Sequence, residues 1–104
     1  MTDEELLAQF HTMWDGFPGM ARLITKDHVI LASNQQALDK GFAPGLRCAT
    51  VGDPKTHRGC KLNAMFDMGT GQTDRIIPDR VRGWSPIAGR DDVCVHFAVL
   101  IPDE

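Results

Sequence analysis

The segment VCVHFAVLI (residues 93–101) constrains the fold of this chain more than any other stretch. Its bulky apolar residues recur at every second position, and this period places them on one face of a β-strand. Cys94 and His96 then lie on the opposite face with Ala98 and Leu100, and the alternation alone leaves open which face is inside. Such a strand needs partner strands, and the sheet needs a cover, because wide apolar surfaces are rarely left in water.

The N-terminus predicts an amphipathic helix within residues 1–16. Thr2 is a suitable N-cap, and Glu5 lies at the capping-box position three residues later. An apolar stripe at helical spacing follows, made of Leu6, Phe10, Met13 and Trp14. We expect this stripe either to cover the sheet or to form a dimer contact.

A hairpin and several short helices are predicted next. MARLIT (20–25) and HVILAS (28–33) flank a short polar link, which is the pattern of two paired strands. Asn34 is a good N-cap for a short helix that ends at Gly41. Residues 42–59 contain too many glycines and prolines for a long element, so we expect only short helical turns there.

The second half continues with a helix and further strands. CKLNAMFDMG (60–69) predicts a helix, and DRIIPDRV (74–81) and GWSPIA (83–88) predict strands, followed by a turn at GRDD (89–92) and the strand 93–101. This order predicts an α+β fold: a five-stranded antiparallel sheet with short helices on one face and an N-terminal amphipathic helix.

Composition and charge narrow the class of protein. Eleven Lys and Arg against fourteen Asp and Glu give a net charge of −3, so neither nucleic acid nor an anionic membrane is an expected partner. No stretch reaches the roughly 20 apolar residues of a membrane span, and the acidic start lacks the pattern of a secretion signal. Three cysteines, an odd number, fit a reducing compartment. We therefore expect a cytoplasmic protein.

The same stretches resemble the PAS (sensory box) family. The resemblance rests on RLITKDHVILASNQQALDKG (22–41), on PGLRC (44–48), and on the helix 60–69 before a glycine-rich turn and the closing strands. The cysteines of GLRC and RGCKL are similar to those of a cysteine-containing prokaryotic subgroup, many of whose members carry CxxC where this chain has only Cys60. The resemblance implies a PAS-like domain over residues 17–104, with the sheet curled around short helices to enclose a chamber, and residues 1–16 as a capping or dimerisation helix.

The resemblance also implies a function. The chain would be a stand-alone sensory domain, not an enzyme, that binds a small ligand in its internal chamber and signals through a homodimer or a partner protein. No nucleophile–base pair and no paired carboxylates occur at usable spacing, so no catalytic residue is predicted. The cofactor, if any, is left unspecified. The ligand-binding candidates, in which Arg47 or Arg58 would contact an anion, are Leu46, Arg47, Cys48, Arg58, Leu62, Met65, Phe66 and Trp84.

The segment CATVGDPKTHRGC (48–60) leaves alternatives open. Cys48, His57 and Cys60 are soft donors of the kind that zinc binds, and His57 lies where the family's haem sensors take an axial ligand. Cys48 and Cys60 are also candidates for a thiol switch, since nearby arginines and lysines lower a thiol pKa, but the favoured interpretation is that both are small buried hydrophobes. A four-cysteine iron–sulfur cluster lacks its ligands, and no metal site is assigned. The alternative for the whole chain is a ligand-free protein–protein interaction module.

Overall fold

The computed structural model describes residues 1–102 of the chain. Its helices and strands are α1 (Asp3–Trp14), β1 (Met20–Thr25), β2 (Ile30–Ser33), α2 (Gln35–Asp39), two short 3₁₀ helices (Cys48–Thr50 and Pro54–His57), α3 (Leu62–Met68), β3 (Gln72–Asp74), β4 (Arg80–Ile87) and β5 (Arg90–Leu100). The strands form one antiparallel sheet in the order β2-β1-β5-β4-β3. The α+β class, the five-stranded antiparallel sheet and the short helices are therefore confirmed.

The first helix is built as its sequence predicts, and it packs on the outer face of the sheet. The side chain of Thr2 accepts a hydrogen bond from the Glu5 amide while the Glu5 carboxylate accepts one from the Thr2 amide, which completes the capping box. Leu6 and Phe10 are buried against the outward rows of the central strands. Met13 was expected in the apolar stripe, but it lies on the solvent side of the helix and is 75% exposed.

The opposite, inner face of the sheet carries the remaining helices. Ala37 of α2, Leu62 and Met65 of α3, and Cys48 pack with Trp84 in one buried cluster. The register of β5 settles the question that its alternation left open, since Val93 and Val95 lie under α1 whereas Cys94 belongs to the inner cluster. His96 and Ala98 share the inner face with Cys94 because side chains two residues apart lie on the same side of a strand.

Two strand boundaries differ from the prediction. DRIIPDRV is not one strand, because β3 ends at Asp74 and residues 75–79 form a loop before β4 begins at Arg80. Within that loop the Arg75 guanidinium donates two hydrogen bonds to the Pro78 carbonyl, at 3.1 and 3.0 Å. The turn predicted at GRDD (89–92) extends too far along the chain. The turn lies at residues 88–89, and the paired strand already starts at Arg90.

Within residues 1–102, no helix is long and apolar enough to cross a bilayer.

Candidate functional site

Three neighbouring strands place polar side chains together on the inner face of the sheet. In the antiparallel register Arg22 of β1 is opposite His96 of β5, and His96 is opposite Trp84 of β4. The next row, one step along the strands, contains Met20, Ala98 and Arg82 in the same way. Because each strand alternates its side chains, both rows face the short helices and not α1.

A cavity of about 240 Å³ lies over these rows, and it is called the main cavity below because buried polar side chains form its floor, whereas larger cavities of about 360 and 460 Å³ are lined by other sets of residues. Its floor is formed by buried residues of the sheet, and its rim by exposed or half-buried residues of the loops and strand ends. The volume lies just under the range of roughly 300–1,000 Å³ that is usual for ligand pockets. Its lining consists of Met20, Arg22, Lys40, Phe42, Gly52, Asp53, Thr56, His57, Arg80, Arg82, His96, Ala98 and Leu100.

Arg82 is buried, yet its charge is fully compensated. Its Nε and Nη2 donate to the two carboxylate oxygens of Asp74 at 3.0 and 2.9 Å, and the side chains of both residues are 5% exposed or less. Nη1 donates to the carbonyl of Thr56 at 3.3 Å, which joins the sheet to the second 3₁₀ helix. Such a bidentate pair fixes the guanidinium in place, so Arg82 forms part of the wall.

Arg22 is equally buried, with 2% exposure, but it lacks such a partner. Its Nη1 donates to the Sγ of Cys48 at 3.4 Å, and its guanidinium carbon lies 4.2 Å from the centre of the Phe42 ring. Its Nε has no hydrogen-bond partner among the described residues. No carboxylate among residues 1–102 forms a salt bridge with it. Burial therefore lowers the pKa of Arg22 from its usual value.

His96 lies between the two arginines and is held as a neutral ring. Its Nδ1 donates to the Gly83 carbonyl at 2.8 Å, and its ring stacks on Trp84 with centroids 4.7 Å apart and planes 8° from parallel. Burial lowers the pKa of His96 well below its usual value, and the positive charge of Arg22 acts in the same direction. A neutral imidazole that donates through Nδ1 keeps Nε2 as a hydrogen-bond acceptor.

A second, smaller cavity of about 90 Å³ adjoins the first, since His57 and His96 line both. It contains two of the three cysteines, Cys48 and Cys60, and all three are free thiols. Burial raises the pKa of Cys48, and it raises that of Cys94 to about 12, so these two thiols stay protonated at neutral pH. Cys60 is exposed. Protonated thiols are poor nucleophiles, so nothing here activates Cys48 as a redox switch.

The residues predicted to line the chamber are only partly brought together. Cys48, Leu62 and Trp84 line the smaller cavity. Met65 is buried in the core, and Phe66 packs against that core from α3. The three remaining candidates, Leu46, Arg47 and Arg58, are exposed and line neither cavity.

The sequence interpretation missed Arg22 and Arg82, and it left the face of His96 open. The sequence contained one indication of both residues. Arg22 and Arg82 each lie within a strand, at a position whose side chain faces the inner side of the sheet. Which rows would meet depended on the register of β1 and β4 against β5, and the sequence pattern does not give that register.

The metal and haem alternatives find little support in the geometry. A ring nitrogen of His57 forms a hydrogen bond with the Val51 carbonyl. Nowhere in residues 1–102 do three or more His, Cys, Asp or Glu side chains lie close enough to hold a metal ion, so Cys48, His57 and Cys60 do not form a zinc site. The main cavity is suited to a molecule smaller than a macrocycle.

Comparisons of this chain with protein-family models, with curated proteins and with solved structures gave no significant match.

Proposed function

We propose that this chain is a PAS-like sensory domain that binds a small ligand in the main cavity. The observation that carries the proposal is a cavity with a floor of buried polar side chains, Arg22, Arg82 and His96, between the sheet and the short helices. Burying a polar group costs free energy unless the group is hydrogen-bonded. A cavity with a few convergent polar groups is typical of a binding site. The α+β fold with short helices on one face of a five-stranded antiparallel sheet supports the PAS-like assignment.

The arrangement offers a route from ligand to output. Phe42 and Thr56 line the cavity from the helical side, while His96 and Ala98 line it from β5. The other face of the same strand, through Val93 and Val95, contacts α1. A ligand that prefers one spacing of helices and sheet shifts the population towards that spacing, and β5 carries the change to α1.

The proposed output is a homodimer or a separate signalling protein in the cytoplasm, without catalysis by this chain. The outer face of the sheet does not need a second copy as its cover, because α1 packs on the middle of that face. The dimer contact is therefore proposed at the exposed side of α1, where Met13 is the most exposed large apolar side chain. Sedimentation of the wild-type protein and of Met13→Glu tests the dimer contact, because the new charge should weaken the dimer. A monomeric wild type would leave a separate signalling protein as the only proposed output.

The ligand proposal is tested by native mass spectrometry and by thermal melting with a panel of small metabolites. Ala98→Leu fills the floor of the cavity, and Ala88→Leu, at an exposed position of the turn between β4 and β5, is the matched control. A ligand raises the melting temperature of the wild type and of Ala88→Leu by mass action, and Ala98→Leu loses the effect. Protein of apo mass that no compound stabilises would overturn the proposal and favour the ligand-free interaction module.

A further inference from the structure

The floor of the main cavity contains one buried cation without a counter-charge. Arg22 is 2% exposed, and its Nε has no hydrogen-bond partner in the described part of the chain. Its guanidinium donates to the sulfur of Cys48 and lies against the ring of Phe42. A guanidinium does not lose its proton in proteins. The positive charge therefore stays in the cavity and remains uncompensated by the described part of the chain.

The neighbours of Arg22 do not supply the missing negative charge. Burial raises the pKa of the Cys48 thiol, so it stays neutral, and His96 is held neutral as well. The second buried arginine, Arg82, is balanced by Asp74. At the rim, Lys40 stands with Asp53, and Arg80 pairs with Asp79, so the charges of the rim cancel. The floor as a whole carries one net positive charge.

Part of the cavity wall is apolar. Met20, Phe42 and Ala98 form this part and line the cavity with Arg22. A ligand complementary to this surface has one negative charge, a planar group that matches the fork of a guanidinium, and a short apolar body. A carboxylic acid has all three properties, whereas a doubly charged phosphate brings more charge than the floor balances.

We propose that the main cavity binds a small monocarboxylate, with its carboxylate on the guanidinium of Arg22 and its apolar body against Met20, Phe42 and Ala98. This inference rests on the proposed function and names the chemical class of the ligand. It assigns the anion contact to Arg22 on β1, and not to the exposed Arg47 or Arg58.

The test is calorimetric titration of the full chain with matched acids and amides: acetate with acetamide, isovalerate with isovaleramide, and benzoate with benzamide, at constant ionic strength. Each amide keeps the size and shape of its acid but has no charge. We expect at least one acid to bind about tenfold more tightly than its amide. Inorganic phosphate is titrated in parallel and should bind more weakly than that acid.

Two substitutions of Arg22 connect the binding to the residue. Arg22→Met removes the charge and keeps most of the volume, and Arg47→Met is the matched control at an exposed arginine. We expect Arg22→Met to lose about tenfold or more in affinity for the acid while the unliganded protein melts at an equal or higher temperature, because an unpaired buried charge is gone. Should Arg22→Met fail to fold, Arg22→Lys keeps the charge without the planar fork and should bind the acid more weakly than wild type.

The outcomes separate this inference from the proposed function. Equal binding of acid and amide, full affinity in the Arg22 variants, or no binding of any acid would overturn the carboxylate assignment. If a neutral compound from the metabolite panel binds and Ala98→Leu abolishes that binding, the sensory proposal stands without the carboxylate. If nothing binds and the protein has its apo mass, both fail.

Discussion

Arg22 and Arg82 lie on the same face of the sheet, on the two strands that flank β5, yet their surroundings differ. Arg82 has a bidentate carboxylate, whereas Arg22 has a thiol and an aromatic ring. Removing one partner of a buried ion pair leaves an uncompensated charge, and removing both does not. The two arginines should therefore respond in opposite ways to loss of charge.

Asp74→Asn should lower the free energy of unfolding by about 3–5 kcal/mol, because it leaves Arg82 buried and unpaired. The double variant Asp74→Leu with Arg82→Met should recover most of that loss. Urea denaturation measures both, with Asp79→Asn as the control at the solvent-exposed pair of Asp79 with Arg80. If Asp74→Asn lowered the free energy of unfolding only as much as the control does, Asp74 would not be needed to compensate the buried charge of Arg82.

His96 should make the stability depend on pH. Burial lowers its pKa in the folded state, so below a pH of about 6.5 the unfolded chain binds a proton that the folded chain does not. The stabilisation that comes from the neutral His96 ring is fully present above that pH and is lost as the pH falls. The free energy of unfolding then decreases by at most about 1.4 kcal/mol per pH unit for one proton. His96→Gln, which keeps a donor for the Gly83 carbonyl, should show a shallower decline in urea denaturation at pH 5 to 7.5. Parallel curves for the two proteins would show that His96 titrates normally.

At the scale of elements, the outer face of the sheet has an aromatic cluster that joins the end of α1 to β5. Phe97 stacks on Trp14 with centroids 5.8 Å apart and meets the edge of Phe17 at 5.7 Å. Its ring lies over Gly83 of β4, directly across the strand pair. A Cβ at position 83 would overlap that ring, so glycine is required by the close approach.

Gly83→Ala should therefore lower the free energy of unfolding by about 1–3 kcal/mol, through overpacking against Phe97. In a Phe97→Leu background the same change should have a smaller effect, because the ring that it meets is gone. Thermal and urea denaturation of the double-mutant cycle measure this coupling. Gly16→Ala is the control, since a Cβ there meets no atom within 4 Å. Equal effects of Gly83→Ala in both backgrounds would exclude Phe97 as the cause.

Capping residues and periodic patterns in the sequence predicted most of the helices and strands, but they did not predict the tertiary contacts of individual side chains. Asn34 caps α2 as expected, with its Oδ1 accepting from the Ala37 amide. The same side chain also accepts from the Ala21 amide and donates to the carbonyls of Trp14 and Gly19, so it joins β1 to the end of α1. The alternating pattern of DRIIPDRV (74–81) is typical of a single strand, but the pairing of β3 with β4 ends at Asp74.

At the scale of the whole molecule, β5 separates two packed layers and belongs to both. Its Val93 and Val95 contact α1, and its His96 and Ala98 form the floor of the main cavity. The alternation in the sequence predicted these two rows, and the family resemblance implied a chamber with Cys48 in its lining. In the structure Cys48 and Cys60 line the smaller cavity. The main cavity was not predictable, because it arises from the register of three strands and not from any one segment.

This placement predicts that a ligand in the cavity affects α1 at a distance. The acid that binds most tightly among acetate, isovalerate and benzoate should slow amide hydrogen exchange in β1 and β5 and also change it in α1, because β5 contacts both β1 and α1. Hydrogen exchange with mass spectrometry measures this in the wild type, and Ala98→Leu should show neither effect. Protection confined to the exposed loops would contradict transmission through β5.

The most direct test of the central claim is the nuclear magnetic resonance signal of the Arg22 Nε–H group, which has no hydrogen-bond partner within residues 1–102. Titration with the acid that binds most tightly among acetate, isovalerate and benzoate should shift this signal as the carboxylate binds the guanidinium of Arg22, while the signal of the exposed Arg47 stays in place. An Arg22 signal that stays unchanged at the highest concentration of all three acids would contradict the claim that this buried arginine holds the ligand.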